Sequence, residues 1–314
     1  MTLPAGYATR PAVYGDLGAV VELVEAAQRA SMGDTEDVRE YLEWIWHVPY
    51  VDLRRDTMLV IDGSDLVGYA EAWWDPSSPG PMSVGGTVRP THRGRGIGTM
   101  FLQRHQEIAR TRGAPGLRHA GIYVGDTHAR AILEANGFVH VRNFYTMALA
   151  LPFDGVPVRP EGVRIRPFET GRDERTLYEV HQASFADHWG SVPETYESFV
   201  GEWYDSPDWA PDLTYLAVAG DEAVGHVAAL DFASRGYVGS IGVLRAWRGR
   251  GIAQALLHRV FADLGARGKP EVTLGVDAGS PTGAVALYEK VGMSVRYEFL
   301  TYDLGTGVPP LSEG

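Results

Sequence analysis

The chain has 314 residues, 45% of them hydrophobic and 22% charged, with no cysteine and a formal net charge of −12. That length holds two ordinary domains, each able to bury its own core, and the missing cysteines exclude disulfides, thiol nucleophiles and thiolate metal sites. The acidic balance excludes a duplex nucleic-acid surface, which needs clustered Lys and Arg to displace counterions, and it suits an amine-bearing partner, although acidity also simply keeps a protein in solution.

In chain order, an extended Arg10-Pro11 phrase leads into helical stretches and then strand-like runs at Thr57 to Ile61, Leu66 to Trp74 and Met82 to Val88, with Asp62-Gly63 as the turn between the first two. Next come Arg93-Gly94-Arg95-Gly96-Ile97-Gly98 and a helix whose Ile97, Phe101 and Ile108 share a face. A strand, a short helix ending in Asn136-Gly137-Phe138 and a final strand pair complete the half. The breakers Pro152, Gly155, Pro157, Pro160 and Gly162 then mark a linker over 151–162.

The same order repeats. Arg166-Pro167 opens the second half, strands run at Tyr215 to Ala219, Ala223 to Asp231 and Tyr237 to Val243, and Arg248-Gly249-Arg250-Gly251-Ile252-Ala253 precedes a helix with Leu256, Val260 and Leu264 on one face. Positions 93 and 248 are 155 apart, as are Gly137 and Gly292. A period that long is a duplicated domain, since solenoid repeats run to roughly 20–50 residues. The expected domains are 1–150 and 163–304, with 305–314 a frayed tail. No apolar run is long enough for a membrane span, and the start has neither the basic nor the apolar region of a secretory signal, so the cytoplasm is the expected compartment.

A glycine-rich loop between a strand and a helix binds phosphate through inward backbone amides and the positive end of the helix, without needing a lysine. Gly96 and Gly251 let the backbone approach closely, Gly94 and Gly249 complete the loops, Gly98 and Ala253 keep the first helical turn small, and Arg93 and Arg248 stand where a guanidinium can reach a pyrophosphate. Neither copy has the Lys-Ser or Lys-Thr of a P-loop, and both follow several earlier strands, unlike the dinucleotide fingerprint, which opens its fold.

Strand, Arg-Gly-Arg-Gly-Ile-Gly/Ala, helix, strand and then Leu287-Tyr288-Glu289-Lys290-Val291-Gly292-Met293 together resemble the acyl-CoA-binding core of the GNAT acetyltransferases, present in tandem over nearly the whole chain. The resemblance implies an α/β fold of two domains, each a mixed, mostly antiparallel sheet flanked by helices. It also implies acetyl-CoA as cosubstrate, its pyrophosphate cradled by the loop residues, Arg95, Ile97, Arg250 and Ile252 included, and its pantetheine arm hydrogen-bonded by the preceding strand around Ile241, Gly242 and Val243. Val88 is the first-half counterpart.

Aligning the two later glycines sets Leu133 opposite Tyr288. Acetyl transfer to an amine expels a thiolate that needs a hydrogen-bond donor, and leucine has none. The resemblance therefore makes Tyr288 the general acid, the second half catalytic and the first degenerate. A phenol near pKa 10 and a thiol near 8.5 leave full proton transfer uphill by about 2 kcal/mol, so hydrogen bonding carries most of the effect unless the site lowers the phenol's value. The base is open among Asp231, His226 and His188. In the tandem mycothiol synthase type a glutamate lies on the strand before the loop, where this chain has Tyr237, and Pro281 stands where many relatives have a coenzyme-contacting asparagine.

The tract Phe185, Asp187, His188, Trp189, Tyr196, Phe199, Trp203, Tyr204, Asp205, Asp208 and Trp209 is the expected acceptor wall, with Phe185, His188 and Trp189 as substrate contacts, although aromatic stripes at helical spacing are also ordinary core. The resulting expectation is an acetyl-CoA-dependent N-acetyltransferase acting on a small-molecule primary amine, as a monomer or homodimer, without metal, membrane or nucleic acid. Mycothiol synthase and a non-catalytic acyl-CoA sensor or scaffold are the alternatives.

Overall fold

The computed structural model describes residues 6–35, 38–76, 80–203 and 209–307, with backbone alone at 202 and 203. Tyr204, Asp205, Asp208, the Trp203 side chain and most of the expected tail lie outside the described residues. The chain packs as two compact units, Met1–Asn143 with Phe299–Gly314, and Phe144–Glu298.

The first unit runs β1 (Tyr7–Arg10), α1 (Leu17–Met32), α2 (Val38–His47), α3 (Leu53–Asp56), β2 (Thr57–Asp62), β3 (Asp65–Trp73), β4 (Met82–Val88), α4 (Ile97–Arg112), β5 (Leu117–Tyr123) and α5 (Thr127–Ala135), and β6 (Val139–Ala150) begins in it. The second continues with β7 (Arg164–Pro167), α6 (Glu174–Phe185), α7 (Tyr196–Trp203), β8 (Tyr215–Ala219), β9 (Glu222–Asp231), β10 (Gly236–Val243), α8 (Ile252–Ala266), β11 (Glu271–Asp277), α9 (Ala284–Lys290) and β12 (Ser294–Leu304). Each unit's sheet is antiparallel except for one parallel contact, β4 with β5 and β10 with β11.

The last strand of each sheet comes from the other repeat. Phe144–Ala150 of β6 pair with β11, and Phe299–Leu304 of β12 pair with β5. The sequence assigns 144–150 to the first domain and 299–304 to the second, because local breakers mark where the chain bends and not which edge a strand joins. The 151–162 segment also belongs to the second unit, where Phe153 packs on His258 and Phe261.

Both Arg-Pro phrases have one physical purpose. Arg10 makes a bidentate pair with Asp16 at 2.6 and 2.7 Å, and Arg166 does the same with Asp173 at 2.5 and 2.7 Å. Each aspartate also accepts a backbone N–H just before the first long helix, so strand and helix start are tied together.

The core of the second unit is built on α8. Its Ile252, Leu256, Leu257, Val260, Phe261 and Leu264 are buried together with Val227, Val238 and Leu274 of the sheet. At about 1.5–3 kcal/mol for each fully buried side chain, that face contributes on the order of 10 kcal/mol before chain entropy is counted. It fixes the start of α8, and hence the glycine loop, against the end of β10.

Candidate active site

β10 touches β11 only at Gly236↔Val272 and Tyr237↔Thr273, whereas its ladder with β9 continues to Val243↔Gly225. Beyond Tyr237 the two parallel strands therefore part, and the β11-facing edge of β10 opens into a wedge. Gly239 is the extra residue of a β-bulge, since the register on β9 shifts between Val238 and Ser240. Such a bulge re-aims the following peptides and side chains. The result is a cavity of about 550 Å³ lined by β10 from Val238 to Val243, by Leu274 to Asp277 and by the second glycine loop.

At the mouth of the wedge the chain turns through Gly249 (φ 78°) and Gly251 (φ 76°), a left-handed conformation that glycine alone adopts cheaply. Gly251 is the N-cap of the 15-residue α8, and no side chain accepts from the amides of that first turn. Ile252 is buried beneath them, and Gly249, Gly251, Ile252 and Ala253 line the cavity. Free amides, a helix N-terminus and a strand edge leading inward suit a diphosphate with an extended arm. Gly242 allows close packing within the site: a Cβ there would lie 2.1 Å from Ser184 Oγ.

Arg248 also lines the cavity and is held there by contacts of its own. Its guanidinium donates to Asp187 at 2.7 and 3.0 Å, to the Ser184 carbonyl and to the Val243 carbonyl, bracing the end of α6 against β10. The arginine in turn holds the Asp187 carboxyl down at about 2. Arg250 lies over the Trp247 ring at 4.6 Å.

Tyr288 of α9 lines the cavity with 7% of its surface exposed. Burial, and then the nearby Tyr237, push its phenol above the ordinary range. The site therefore does not lower the phenol's value; it keeps the proton on oxygen and favours hydrogen bonding over full transfer.

The acceptor side gathers Phe185, His188 and Trp189 on the cavity wall with Phe144. Phe185 stacks between His188 and His181, at 4.4 and 4.5 Å, and Trp189 packs 6.2 Å from Phe144. His226, by contrast, is sealed behind this wall at 0% exposure, its Nε2 2.9 Å from Ser240 Oγ. Burial, with His181 adding to it, lowers its pKa well below the imidazole range. Asp231 does not line the cavity; Arg267 at 2.6 Å and Lys269 at 2.8 Å hold it in ion pairs. Sequence reasoning missed Ser240, which lines the cavity, and His181, whose Nδ1 lies 3.0 Å from Ser240 Oγ although the two are 59 residues apart.

The first unit repeats the frame with other contents. β4 leaves β5 after Met82↔Leu117 and Ser83↔Arg118, and Gly94 and Gly96 turn at φ 74° and 81°. Arg93 pairs with Asp126, Arg95 donates to Tyr7, and Ile97 is buried, while a Cβ on Gly98 would meet the end of Ile132. The β3–β4 ladder runs from Trp73↔Ser83 to Gly68↔Val88 without a bulge, and Leu133 is packed in the core at 2% exposure.

The acetyltransferase (GNAT) family model matches residues 20–138 and again 175–293, two stretches offset by the same 155 positions as the glycine loops. The chain belongs to the GNAT acetyltransferase family. As a tandem GNAT protein it is an acetyl-CoA-dependent N-acetyltransferase, and its relatives share the layout. It is 33% identical over 247 residues to a mycothiol acetyltransferase of Thermobispora bispora, covering 76% of this chain and 79% of that one. A mycothiol acetyltransferase of Streptomyces griseus is 32% identical over 259 residues, covering 79% of each. The crystal structure of a GCN5-related N-acetyltransferase from Sphaerobacter thermophilus superposes with a TM-score of 0.84 at 34% identity, covering 99% of both chains. A tandem GNAT protein from the clavulanic acid biosynthesis pathway has the same fold, with a TM-score of 0.74 at 16% identity over 98% of this chain and 100% of that one. Among the described residues no helix is long and apolar enough to cross a membrane, and no cluster of His, Asp or Glu could hold a metal ion.

Proposed function

We propose that this GNAT protein moves the acetyl group of acetyl-CoA to the primary amine of a small molecule, and that the second unit holds the working site. The observation that carries this is the exchange of Tyr288 on the cavity wall for Leu133 in the core at matched positions. The glycine loop and the first turn of α8 receive the pyrophosphate, and the open edge of β10 around Gly242 and Val243 receives the pantetheine arm and polarises the thioester carbonyl. Tyr288 donates a hydrogen bond to the departing sulfur, and Phe185, His188 and Trp189 hold the acceptor beside the thioester.

Thiol release with a panel of primary amines tests this. Tyr288→Phe is expected to lower kcat by 10- to 100-fold, the worth of roughly 1.5–3 kcal/mol for a hydrogen bond to a charged group, while Leu133→Ala leaves turnover in place. Equal activity of Tyr288→Phe and wild type would overturn the assignment.

The relatives' names favour a second, narrower reading, that the acceptor is mycothiol lacking its acetyl group. Tyr237 at the position where that type carries a glutamate is the departure to be explained. Offering that thiol-bearing amine against simple amino sugars, with product followed by mass spectrometry, decides between the specific and the general acceptor.

A further inference from the structure

Ser240 on the cavity wall forms a hydrogen-bonded group with His181 and His226 behind it, and the protons within the group can be placed by elimination. Ser240 Oγ lies 2.9 Å from His226 Nε2 and 3.0 Å from His181 Nδ1, and its hydroxyl has one hydrogen to give. His226 Nδ1 is buried with no hydrogen-bond partner. His181 Nε2 faces the Glu194 carboxylate at 3.9 Å.

Suppose Ser240 donated to His226. Nδ1 of His226 would then carry an N–H buried without an acceptor, the costlier kind of orphan. His181 would have to donate through Nδ1, turning the lone pair of Nε2 toward a carboxylate. The opposite arrangement removes both faults: His226 donates from Nε2 to Ser240, Ser240 donates to His181 Nδ1, and the remaining proton of His181 sits on Nε2, 3.9 Å from the Glu194 oxygen that also accepts from Gln182 Nε2 at 2.9 Å. Protons can therefore leave the cavity in one direction.

We infer that Ser240 is the proton port of the acetyl transfer, passing the proton shed by the acceptor amine to His181, with His226 positioning the serine and Glu194 compensating the imidazolium. This rests on the proposed transfer in the second unit and adds the base that the sequence left open. In the step, the amine lone pair forms the N–C bond to the acetyl carbon and the C–S bond breaks with its electron pair on sulfur. The surplus N–H proton goes to Ser240 Oγ as the serine's own proton goes to His181 Nδ1. Tyr288 hydrogen-bonds the thiolate, which leaves as the thiol once protonated, and His181 returns its proton to solvent.

Among the described residues, the titratable groups facing His181 include His226 on β9, His188 after α6 and Glu194 before α7. Burial, with His188 second, lowers His181 to about 4, so it is neutral at neutral pH and holds an accepted proton only briefly before passing it to solvent. The first unit has no such port. By strand register Gly85 stands at the place of Ser240 and Tyr69 at that of His226, and a Cβ on Gly85 would lie 2.9 Å from Glu71 Oε1.

Two measurements test the inference. Side-chain 15N NMR of histidine-labelled protein, assigned with His181→Asn and His226→Gln, is expected to show His226 protonated at Nε2 and His181 at Nε2 only. In thiol-release kinetics, Ser240→Ala and His181→Asn are expected to lower kcat by about 100-fold, within the range of general-base removal, with KM for acetyl-CoA within threefold. His226→Gln, which keeps an N–H near the same place, falls between these and wild type. Acetyl-CoA titration of each variant confirms that the site is folded. Protonation of His181 at Nδ1 would overturn the proton order. Retention of kcat within threefold in both Ser240→Ala and His181→Asn, while Tyr288→Phe loses it, would remove the port and leave the proposed transfer standing.

Discussion

Replacing His105 with leucine should make the protein less sensitive to acid. His105 lies on the inner face of α4 at 2% exposure, and neither ring nitrogen makes a hydrogen bond of normal geometry. Burial, with His119 second, lowers its pKa from 6.5 to about 3 against the opposing backbone of Glu71. Above pH 6.5 neither the folded nor the unfolded chain charges this ring. Below it the unfolded chain binds a proton that the folded one refuses, so stability falls with pH until the folded value near 3 is reached. At pH 5 the difference is about one and a half decades, or about 2 kcal/mol. His119 and His181, each lowered by burial to about 4, add about 2 kcal/mol apiece in the same window. The two in the first unit, His105 and His119, together approach the lower end of the 5–15 kcal/mol that holds an ordinary domain, while His181 acts on the second unit. Glu71 works in the other direction: burial raises its carboxyl, so its cost grows as pH rises through the folded value and is relieved in acid. Urea unfolding at pH 7.5 and pH 5.0, followed by tryptophan fluorescence, measures the pH dependence. His105→Leu, close in volume, should reduce the loss between the two pH values by about 2 kcal/mol for the first unit's transition. An unchanged loss would refute the reasoning, because it would mean that the folded ring takes up its proton.

Other consequences are smaller or more local. Gly251→Ala places a Cβ at φ 76° and 3.3 Å from Val158, so about 1–2 kcal/mol of strain falls on the turn that carries the amides; titration should show weakened acetyl-CoA binding with α8 intact by circular dichroism. Gly242→Ala sets a methyl against Ser184 and His226, and should lower the second unit's unfolding midpoint by an amount equivalent to 1–3 kcal/mol, read by urea titration. Leu256→Ala, in the packed face of α8, should cost about 2–5 kcal/mol in the same measurement.

Much of this fold is written in short-range pattern. The 155-residue offset, the strand runs and the glycine loops are visible because glycine and periodicity act locally, and β3, β4, β9 and β10 lie within a residue or two of where alternation places them. What was not legible is set by distant partners. The exchange of β6 and β12 depends on edges more than 100 residues away, as in Tyr145↔Val276. Nothing local to Arg248 announces its pairing with Asp187, 61 residues earlier. The relay escapes notice because an isolated serine on a strand and a histidine on a helix carry no spacing signal, and Asp231 looks available only while Arg267 and Lys269 are out of view.

The two units share a backbone frame and differ in the side chains set on it. Each keeps the parting of its parallel strands and the left-handed glycines, which are properties of the backbone. The differences are in three side-chain positions and one inserted residue: Tyr288 against Leu133, Ser240 against Gly85, His226 against Tyr69, and the bulge at Gly239. In the first unit Glu71 lies over Gly85, accepting from Tyr69 at 2.5 Å and Tyr41 at 3.0 Å, so the carboxylate is satisfied by neighbours and stands where the second unit has an open serine. With both oxygens taken up by tyrosine hydroxyls, Glu71 offers no open acceptor to a substrate amine. It follows that adding Tyr at position 133 alone should not create a second active site. Leu133→Tyr in a Tyr288→Phe background should remain as slow as Tyr288→Phe by thiol release, since a donor without a port supplies only half of the transfer. Recovery of wild-type turnover in that double variant would show that the leaving-group donor, and not the path for the amine proton, is the element the first unit lacks.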